Sequence, residues 1–592
     1  IIKNSSFERI TGRINATQRY LDDKLTLNVQ ASVSRVNDEA APLSSTAGFR
    51  GDLIGAAYSA NPTWPADPNY LPGGSLINPA VLLTRTQTLT NTERALLNAS
   101  LEYEIADGLK AKVNAGYDES RSLAASVTNA SDIAVAGVNQ GQTRGNMQAI
   151  EFTNRLLEAT LSYNKTFGAV NVDALAGYSF QSFARSGTFA TAAGFASNDL
   201  STMRDQLINS TRTTRNSLQG ENFQQFGYDP SSAGSNVVVN SILPTGDNRF
   251  ISETVRGDKT GLVAALAADR FNVVDDIQSY FARVNLTIAD KYLVTGTMRA
   301  DGSSRFGPAN QYGYFPSGAV AWKLSEEDFM GDAFSTLKLR AGAGVTGNQE
   351  GLGHALYLRR ERFGGVGISD NYDVNFIING PGVNVVSNPN PDLKWESTIS
   401  YNAGIDFGFN DDKFSGSIDV YQSTTDDQII GLPAAAPAFG GSIILNLPAE
   451  IENKGVELAL NNIWASTEDM TFSTAFNISY NENLVTGLNE NIYFETGAVN
   501  GPGLSGAYAQ RLSNNVPLFS FYMAEFTGFD SSGFPTYADV DGNGVGDPDA
   551  DKKYVDADAL PDVNAGLSLN MTYKNWDFSS YFTGQFGFYV YN

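Results

Sequence analysis

Residues 397–409 read "STISYNAGIDFGF", and apolar and polar side chains alternate along them. The apolar residues are Ile399, Tyr401, Ala403, Ile405, Phe407 and Phe409. Those between them are polar or small: Thr398, Ser400, Asn402, Gly404, Asp406 and Gly408. Because a period of two puts every second side chain on one face of an extended chain, the stretch predicts a β-strand with one apolar face. The polar turn at 410–412 leads into residues 414–421, which alternate likewise, so the pair predicts a hairpin.

The same unit recurs along the chain and predicts eight hairpins, or about sixteen strands of roughly ten to fourteen residues. One of the others surrounds the turn at 22–23. The remaining ones are 101–105 with 109–117, 152–165 with 169–183, 276–289 with 291–299, 317–325 with 336–346, 452–464 with 470–482, and 562–573 with 576–586. Aromatic residues near strand ends suit the girdles found at membrane interfaces. They include Tyr20, Tyr117, Tyr163, Trp322, Trp464, Tyr480 and Trp576.

The connections alternate between short turns within hairpins and long segments between hairpins. The long segments lie at about 37–97, 119–151, 184–275, 300–316, 347–396, 426–451 and 483–561. A compact soluble domain rarely has so many long loops. A soluble propeller or a chain of sandwiches is the alternative, but its loops would be short and similar in length. Short turns on one side and long extracellular loops on the other are typical of an all-β, transmembrane antiparallel β-barrel.

Composition excludes several other classes of protein. The 592 residues carry 64 acidic and 40 basic side chains, a net charge of −24 that disfavours binding to nucleic acid. Without cysteine, and with His354 as the single histidine, the chain has no disulfide scaffold and no His-rich or thiolate zinc site. We interpret His354 as an ordinary residue of a glycine-rich loop. No stretch approaches the roughly 18 apolar residues of a membrane helix.

Several segments carry the motifs of a known family. They are "FARVNLTIADKYLVTGTMRADGSSRFGPANQYGYFPSGAVAWKLSEEDFM" (281–330), "LKLRAGAGVTGNQ" (337–349), "NPNPDLKWESTISYNAGIDFGF" (388–409), "IENKGVELAL" (451–460) and "YKNWDFSSYFTGQFGFYVYN" (573–592), with the opening residues 1–16 and the loop 61–80. These segments closely resemble the SusC/RagA family of TonB-dependent outer-membrane transporters of Bacteroidetes. They occur in the family's order along nearly the whole chain, 1–592.

The resemblance implies a barrel of about 22 strands whose lumen is filled by an N-terminal plug. It also implies a TonB box, a SusD-like surface lipoprotein as a lid, and often a dimer of transporter–lipoprotein pairs. The expected activity is TonB-dependent import of oligosaccharides or peptides across the outer membrane of a Gram-negative bacterium. The sequence predicts about sixteen strands, whereas the family has about 22, and it shows no plug sequence or TonB box. We therefore predict that the chain is an internal part of a longer transporter. A passive porin and a surface scaffold or adhesion barrel are the competing functions.

Ligands of such a transporter would meet aromatic and polar side chains from loops and lumen. The aromatic candidates are Trp64, Tyr70, Phe223, Phe226, Tyr228, Tyr357, Tyr372 and Phe376. The lumenal candidates are Arg283 and Arg299, together with Asp301. Packing of the loops against one another, or a solvated barrel wall, would account for the same residues.

The acidic segment "DVDGNGVGDPDAD" at 539–551 resembles a calcium-binding loop. Asp539, Asp541 and Asn543 occupy positions 1, 3 and 5, and Asp547 occupies position 9. Position 12 is Ala550 instead of an acid, and Asp551 comes one residue late. The match predicts a structural calcium ion, while an acidic turn that binds nothing is the alternative.

Two further patterns do not predict chemistry. Gly342, Gly344 and Gly347 spell G-x-G-x-x-G, but no helix follows, so dinucleotide binding is excluded by context. Adjacent carboxylates such as Glu326 and Glu327 lie in turns and do not face each other across a substrate. We therefore predict a protein that is not an enzyme and that uses no cofactor apart from the calcium ion.

Overall fold

A computed structural model gives the architecture of the chain. It describes residues 2–43, 52–70, 72, 77–131, 135, 141–217, 224–228, 257, 261–331, 333–358, 360–363, 383–433, 442–499 and 506–591.

The predicted hairpins are confirmed as consecutive units of one antiparallel sheet. Its long strands are β1 (Ser6–Tyr20), β2 (Leu25–Ala40), β3 (Thr86–Ala106), β4 (Leu109–Ala130), β5 (Gln142–Phe167), β6 (Val170–Ala193), β7 (Ala265–Ile288), β8 (Tyr292–Ser303), β9 (Tyr312–Lys323), β10 (Thr336–Asn348), β11 (Glu396–Phe409), β12 (Phe414–Pro433), β13 (Ser442–Ser466), β14 (Met470–Thr486), β15 (Val563–Tyr573) and β16 (Trp576–Phe586). Each pairs with the next in chain order, so β1 and β16 form the two edges of the described sheet. This is the up-and-down wall of a β-barrel.

The two faces of this wall differ because the alternation is kept in register from strand to strand. On the outer face Leu101 lies opposite Val113, and these side chains are 45% and 47% exposed. On the inner face Ser100 lies opposite Asn114, and Asn114 lies opposite Glu158 on the next strand. A slip of one residue would reverse the two faces, so the apolar pattern fixes the register.

Tight turns connect the two strands of most hairpins at one end of the sheet. Asn410, Asp411 and Asp412 all have positive φ angles between 54° and 59°. Asn and Asp tolerate this left-handed conformation better than most residues, which explains the polar turn in the sequence.

The long connections lie at the opposite end of the sheet, and several strands extend further towards them than the alternation suggested. β3 begins at Thr86, β4 ends at Ala130 and β5 begins at Gln142. The resulting connections are 41–85, 131–141, 194–264, 304–311, 349–395, 434–441 and 487–562. Beyond the apolar band neither face must be apolar, so the strands continue without an alternating signal.

Within the described residues, helices occur in two of these connections and beside one turn. α1 (Leu53–Ser59) and α2 (Pro79–Arg85) pack together in the first, and α3 (Leu200–Ser217) lies in the third. A 3₁₀ turn covers Leu324–Glu326. Among the helices of the described residues, none is long and apolar enough to cross a membrane.

Connection 487–562 folds into small sheets of its own. Four strands pair in it, Phe494–Ala498, Tyr508–Leu512, Ser520–Ala524 and Lys552–Asp558, beside the hairpin of Phe526–Phe529 with Pro535–Tyr537. Elsewhere Arg360–Phe363 pairs with Val383–Ser387, and Gln224–Tyr228 pairs with β7.

Candidate functional site

A cavity of about 370 Å³ opens on the inner face where the strands reach the long connections. Inward-facing residues of β6, β7 and β8 form one side, and the segment after β10 with Trp395 forms the other. The polar side chains that line it include Gln181, Ser279, Arg299, Asp301, Asn348 and Gln349. Convergent polar groups in a concave site are typical of a ligand-binding pocket.

Arg299 is held in this cavity by a carboxylate two residues further along β8. Its Nε donates to Asp301 Oδ2 at 2.7 Å, and one Nη donates to Ser279 Oγ at 3.0 Å. The guanidinium also lies 5.5 Å from the ring centre of Phe281. These contacts fix the orientation of the charged group, which favours directional hydrogen bonding.

Arg283 faces the same side of the sheet. It lies on β7, two residues beyond Phe281 and therefore nearer the short turns. It is paired with Thr297 on β8, while Arg299 is paired with Phe281 on β7. The structure therefore brings the two predicted arginines onto neighbouring inner-face positions, although Arg283 does not line the cavity.

Trp395 is an aromatic residue of the cavity that the sequence analysis did not single out. Its indole N–H donates to the carbonyl oxygen of Gln311 at 3.0 Å. Its ring centre lies 5.0 Å from that of Phe306 and 5.6 Å from that of Phe315. The residue belongs to the motif "PDLKWE" at 391–396, one of the segments that carried the family resemblance.

His354 has an acidic partner that its sequence neighbourhood did not reveal. Its Nδ1 lies 2.7 Å from Asp275 Oδ1, and Arg305 Nε lies 3.3 Å from Asp275 Oδ2. Asp275 is 79 residues away in sequence and only 6% exposed. The histidine thus ties the connection after β10 to the outer end of β7.

The aromatic candidates from the loops lie apart from the cavity or outside the described side chains. Trp64 and Tyr70 contact each other, with ring centres 6.2 Å apart, in the first long connection. Asn78 organises that loop by donating to the carbonyls of Pro65 and Asp67. The two rings thus pack within the loop, as the alternative interpretation expects, and their contact with a ligand stays a prediction.

Among the other candidates, Tyr357 lies close to Gly307, near the hydrophobic cluster beneath Trp395. Phe226 and Tyr228 lie on the short strand paired with β7, for which the backbone alone is described. Phe223, Tyr372 and Phe376 lie outside the described residues.

The acidic loop brings three carboxylates together. Within the part of the chain that the structure describes, oxygens of Asp539, Asp541 and Asp551 lie within 4.8 Å of one another. That spacing suits calcium, whose oxygen ligands lie about 2.3–2.6 Å from the ion. The fold therefore places Asp551, the acid one residue beyond position 12, in the same cluster as Asp539 and Asp541.

Asp551 is fully buried and accepts three backbone hydrogen bonds. The N–H groups of Asp547 and Val540 donate at 2.8 Å, and that of Asp541 donates at 3.0 Å. These donors lower the pKa of the Asp551 carboxyl, and the N–H of Asp547 has the largest effect. The two other predicted ligands accept backbone hydrogen bonds within the turn itself: Asn543 Oδ1 accepts from the N–H of Val545, and Asp547 Oδ1 accepts from the N–H of Asp549.

Comparison with known proteins identifies the family. The model of the TonB-dependent receptor-like β-barrel matches residues 35–592. TonB-dependent receptor P3 of Formosa agariphila is 30% identical over 622 residues, which cover 99% of this chain and 54% of that protein. TonB-dependent receptor SusC of Bacteroides thetaiotaomicron is 27% identical over 632 residues, which cover 100% of this chain and 55% of that protein.

A solved structure of the RagAB peptide transporter has the same fold, with a TM-score of 0.74 at 19% identity. The match covers 98% of this chain and 57% of that one. The chain thus spans about half the length of the relatives that it matches. β-Barrels of this family are outer-membrane proteins, and the relatives are receptors and transporters. The prediction from sequence is confirmed: the chain belongs to the TonB-dependent receptors of the SusC/RagA type and contains part of their β-barrel.

Proposed function

We propose that the complete protein imports an oligosaccharide or a peptide across the outer membrane in a TonB-dependent manner. The inner-face cavity with its fixed Arg299–Asp301 pair is the observation that carries this proposal. The similarity to SusC and the fold shared with the RagAB peptide transporter support it.

In this proposal, residues of the barrel wall contact the ligand during its passage. The guanidinium of Arg299 and the carboxylate of Asp301 offer donors and acceptors beside the ring of Trp395. Such a combination suits the hydroxyl groups and apolar faces of sugars, and equally the amides and side chains of peptides. The loop aromatics Trp64, Tyr70 and Tyr357 would act before this point, at the extracellular mouth.

Energy coupling and closure of the mouth are assigned to parts outside this chain. We propose that TonB acts through an N-terminal plug region and that a SusD-like lipoprotein covers the long connections. Pairs of transporter and lipoprotein would then associate as dimers. The host would be a Gram-negative bacterium of the Bacteroidetes.

The test is uptake by cells that carry the full-length gene in a deletion background. Labelled oligosaccharides and peptides are offered separately, with and without a proton-gradient uncoupler. We expect saturable uptake that stops with the uncoupler and falls strongly in the R299Q/D301N variant. The matched control is R94Q/D118N, because Arg94 and Asp118 form a similar pair on the inner faces of β3 and β4, away from the cavity.

Each competing function has its own outcome. Uptake that is indifferent to the uncoupler would indicate a passive porin. No uptake of either ligand class by cells with correctly assembled protein would indicate a scaffold or adhesion barrel. Equal loss in both double variants would remove the cavity from the proposal but leave active transport standing.

We also propose that Asp539, Asp541 and Asp551 hold a structural calcium ion in the loop 539–551. Three carboxylates this close repel one another, and a divalent cation offsets the repulsion. Oxygen ligands with flexible geometry are those that calcium prefers.

A further inference from the structure

A second cavity lies on the outer face of the sheet, between α3 and the strands β3 to β7. Its volume is about 600 Å³. The outward-facing residues Arg121 of β4 and Arg270 of β7 line it from the sheet. Ile208, Arg212 and Arg215 line it from α3. This groove faces away from the lumen and therefore plays no part in the transport path.

The groove lies at the outer boundary of the membrane. On β4 the outward-facing side chains from the short turn onwards are apolar up to Tyr117: Leu109, Ala111, Val113, Ala115 and Tyr117. A membrane-spanning strand needs about 9–11 residues. Arg121, four residues beyond Tyr117 towards the long connections, is therefore at the level of the outer-leaflet headgroups. After Leu123, α3 covers Ala125 and Val127 on the same face.

Positive charge dominates the groove although the chain as a whole is acidic, with 64 acidic and 40 basic residues. Four arginines line it against two glutamates, Glu93 and Glu151. Arg121 is neutralised, because its Nη lies 2.6 Å from Glu119 and 3.5 Å from Glu151.

The other arginines, Arg212, Arg215 and Arg270, make no ion pair within the described part of the chain. Arg212 and Arg215 are three residues apart on α3, so they project from the same side of the helix. Both side chains are exposed. Uncompensated arginines gathered at one place are suited to bind phosphate.

An apolar floor lies beneath the charged rim. Leu123, Met147 and Ile208 contribute to it, and Met147 and Ile208 belong to the hydrophobic cluster that holds α3 on the sheet. A ligand that matches both parts has an anionic head and an apolar body.

We propose that this groove binds a phosphorylated headgroup of an outer-leaflet lipid. The headgroup phosphate would interact with Arg212, Arg215 and Arg270, while the adjoining apolar part of the lipid covers the floor. A soluble nucleic acid or an acidic peptide fits less well, because the groove is continuous with the lipid-facing band of β4 and β5. This proposal concerns the outer face and is independent of the transported ligand.

The test uses the full-length protein, purified in an uncharged detergent, and measures its affinity for three probes. The probes are bis-phosphorylated lipid A, dephosphorylated lipid A and inorganic phosphate. We compare the wild type with R212Q/R215Q and with R204Q. Arg204 is the matched control, because it lies on α3, pairs with Asp205 at 3.0 Å and does not line the groove.

We expect phosphorylated lipid A to bind the wild type and R204Q equally, and R212Q/R215Q about tenfold more weakly, since two charge-assisted contacts are lost. Dephosphorylated lipid A should bind all three proteins weakly. Unchanged melting temperatures would confirm that the variants fold, since both arginines are exposed.

Three results would overturn the assignment. The first is equal affinity of R212Q/R215Q and wild type for phosphorylated lipid A. The second is binding of the dephosphorylated lipid as tight as that of the phosphorylated one. The third is equally tight binding of inorganic phosphate, which would show a free-anion site instead of a lipid site.

Discussion

The outer face of the same strands lies in two different environments. Near the short turns it carries large exposed side chains, among them Leu97, Leu157 and Leu161. Further along, beneath α3, it carries small buried ones such as Ala125 and Ala190. Lipid adapts to large, uneven side chains, whereas small side chains let a helix approach the sheet closely. One apolar face is therefore built in two ways, according to what covers it.

The groove with the arginines lies where these two regions meet. Most of its rim lies beyond the apolar band, so lipid chains alone do not cover it, and α3 does not fill it. The change of cover along the strands thus creates a cleft at headgroup level, and the arginines give that cleft its charge.

The largest effect is expected beneath α3. Leu207 is fully buried in the cluster that joins the helix to the sheet. L207A should cost about 2–5 kcal/mol of docking stability, because a buried leucine is replaced by a cavity. Hydrogen exchange of the α3 amides in the full-length protein measures this loss. Ile54 on α1 is mostly exposed, so I54A serves as the control. Slow, unchanged exchange in L207A would contradict the packed cover.

The next largest effect on stability is expected in the lipid-covered part of the outer face. Leu161 lies near the middle of the apolar part of β5, and Ser162 beside it faces the lumen. L161R should cost about 2–4 kcal/mol of folding stability in bilayers, because it places a charge in the hydrocarbon layer. S162R should cost far less. Urea titrations of both variants in lipid vesicles compare them, and equal costs would argue against a lipid-facing outer surface.

The hairpins were predictable from the sequence because, within the membrane, each residue must suit either lipid or lumen. Residues 397–409 show this alternation throughout, and β11 follows it. α3 was missed because residues 200–217 are rich in Ser, Thr, Asn and Arg, with few apolar residues to mark a helix face. The length of β4 was missed for a related reason, since its outer part needs no alternation.

The candidate site was predictable only in part. Arg299 and Asp301 are two residues apart on one strand, so the period of two puts them on the same face. His354 and Asp275 meet across 79 residues, and no local pattern encodes such a contact. The calcium-loop pattern expects an acid at position 12, where this chain has Ala550, yet Asp551 joins the carboxylate cluster. The path of the loop, and not the spacing alone, decides which carboxylate lies there.

The acidic loop is covered by neither lipid nor helix, so a bound ion should stabilise it. With calcium present we expect the loop 539–551 to resist proteolysis, and chelation with EDTA should expose it, while the barrel stays folded. D541N should be cleaved as fast as the chelated wild type. D549N is the control, because Asp549 lies outside the carboxylate cluster. Cleavage that is independent of calcium would favour an acidic turn that binds no metal.

The smallest effect concerns pH and the start of α3. Asp199 accepts hydrogen bonds from Ser201 and from the N–H and hydroxyl of Thr202, which lowers its pKa to about 2. Because the folded pKa lies below the ordinary value of 3.8, this stabilisation is complete above about pH 4 and is lost as the pH falls towards 2.

Hydrogen exchange at the start of α3 should therefore quicken modestly as the pH is lowered through that window, after correction for intrinsic rates. D199N keeps a capping oxygen without the charge, so its exchange should not depend on pH there. The lipid-facing residues of β5 should be indifferent in both proteins. The same pH response in D199N would assign the effect to another group.

The most direct test of the membrane barrel uses the absence of cysteine from these 592 residues, with any cysteine elsewhere in the full-length protein replaced by serine. Val113 faces outwards and its neighbour Asn114 faces the lumen. Spin labels at V113C and N114C in the full-length protein, reconstituted into bilayers, report the access of oxygen and of a water-soluble nickel complex. We expect oxygen to reach the first label preferentially and the nickel complex the second. Equal access of the nickel complex to both labels would contradict a wall with lipid on one side and a polar lumen on the other.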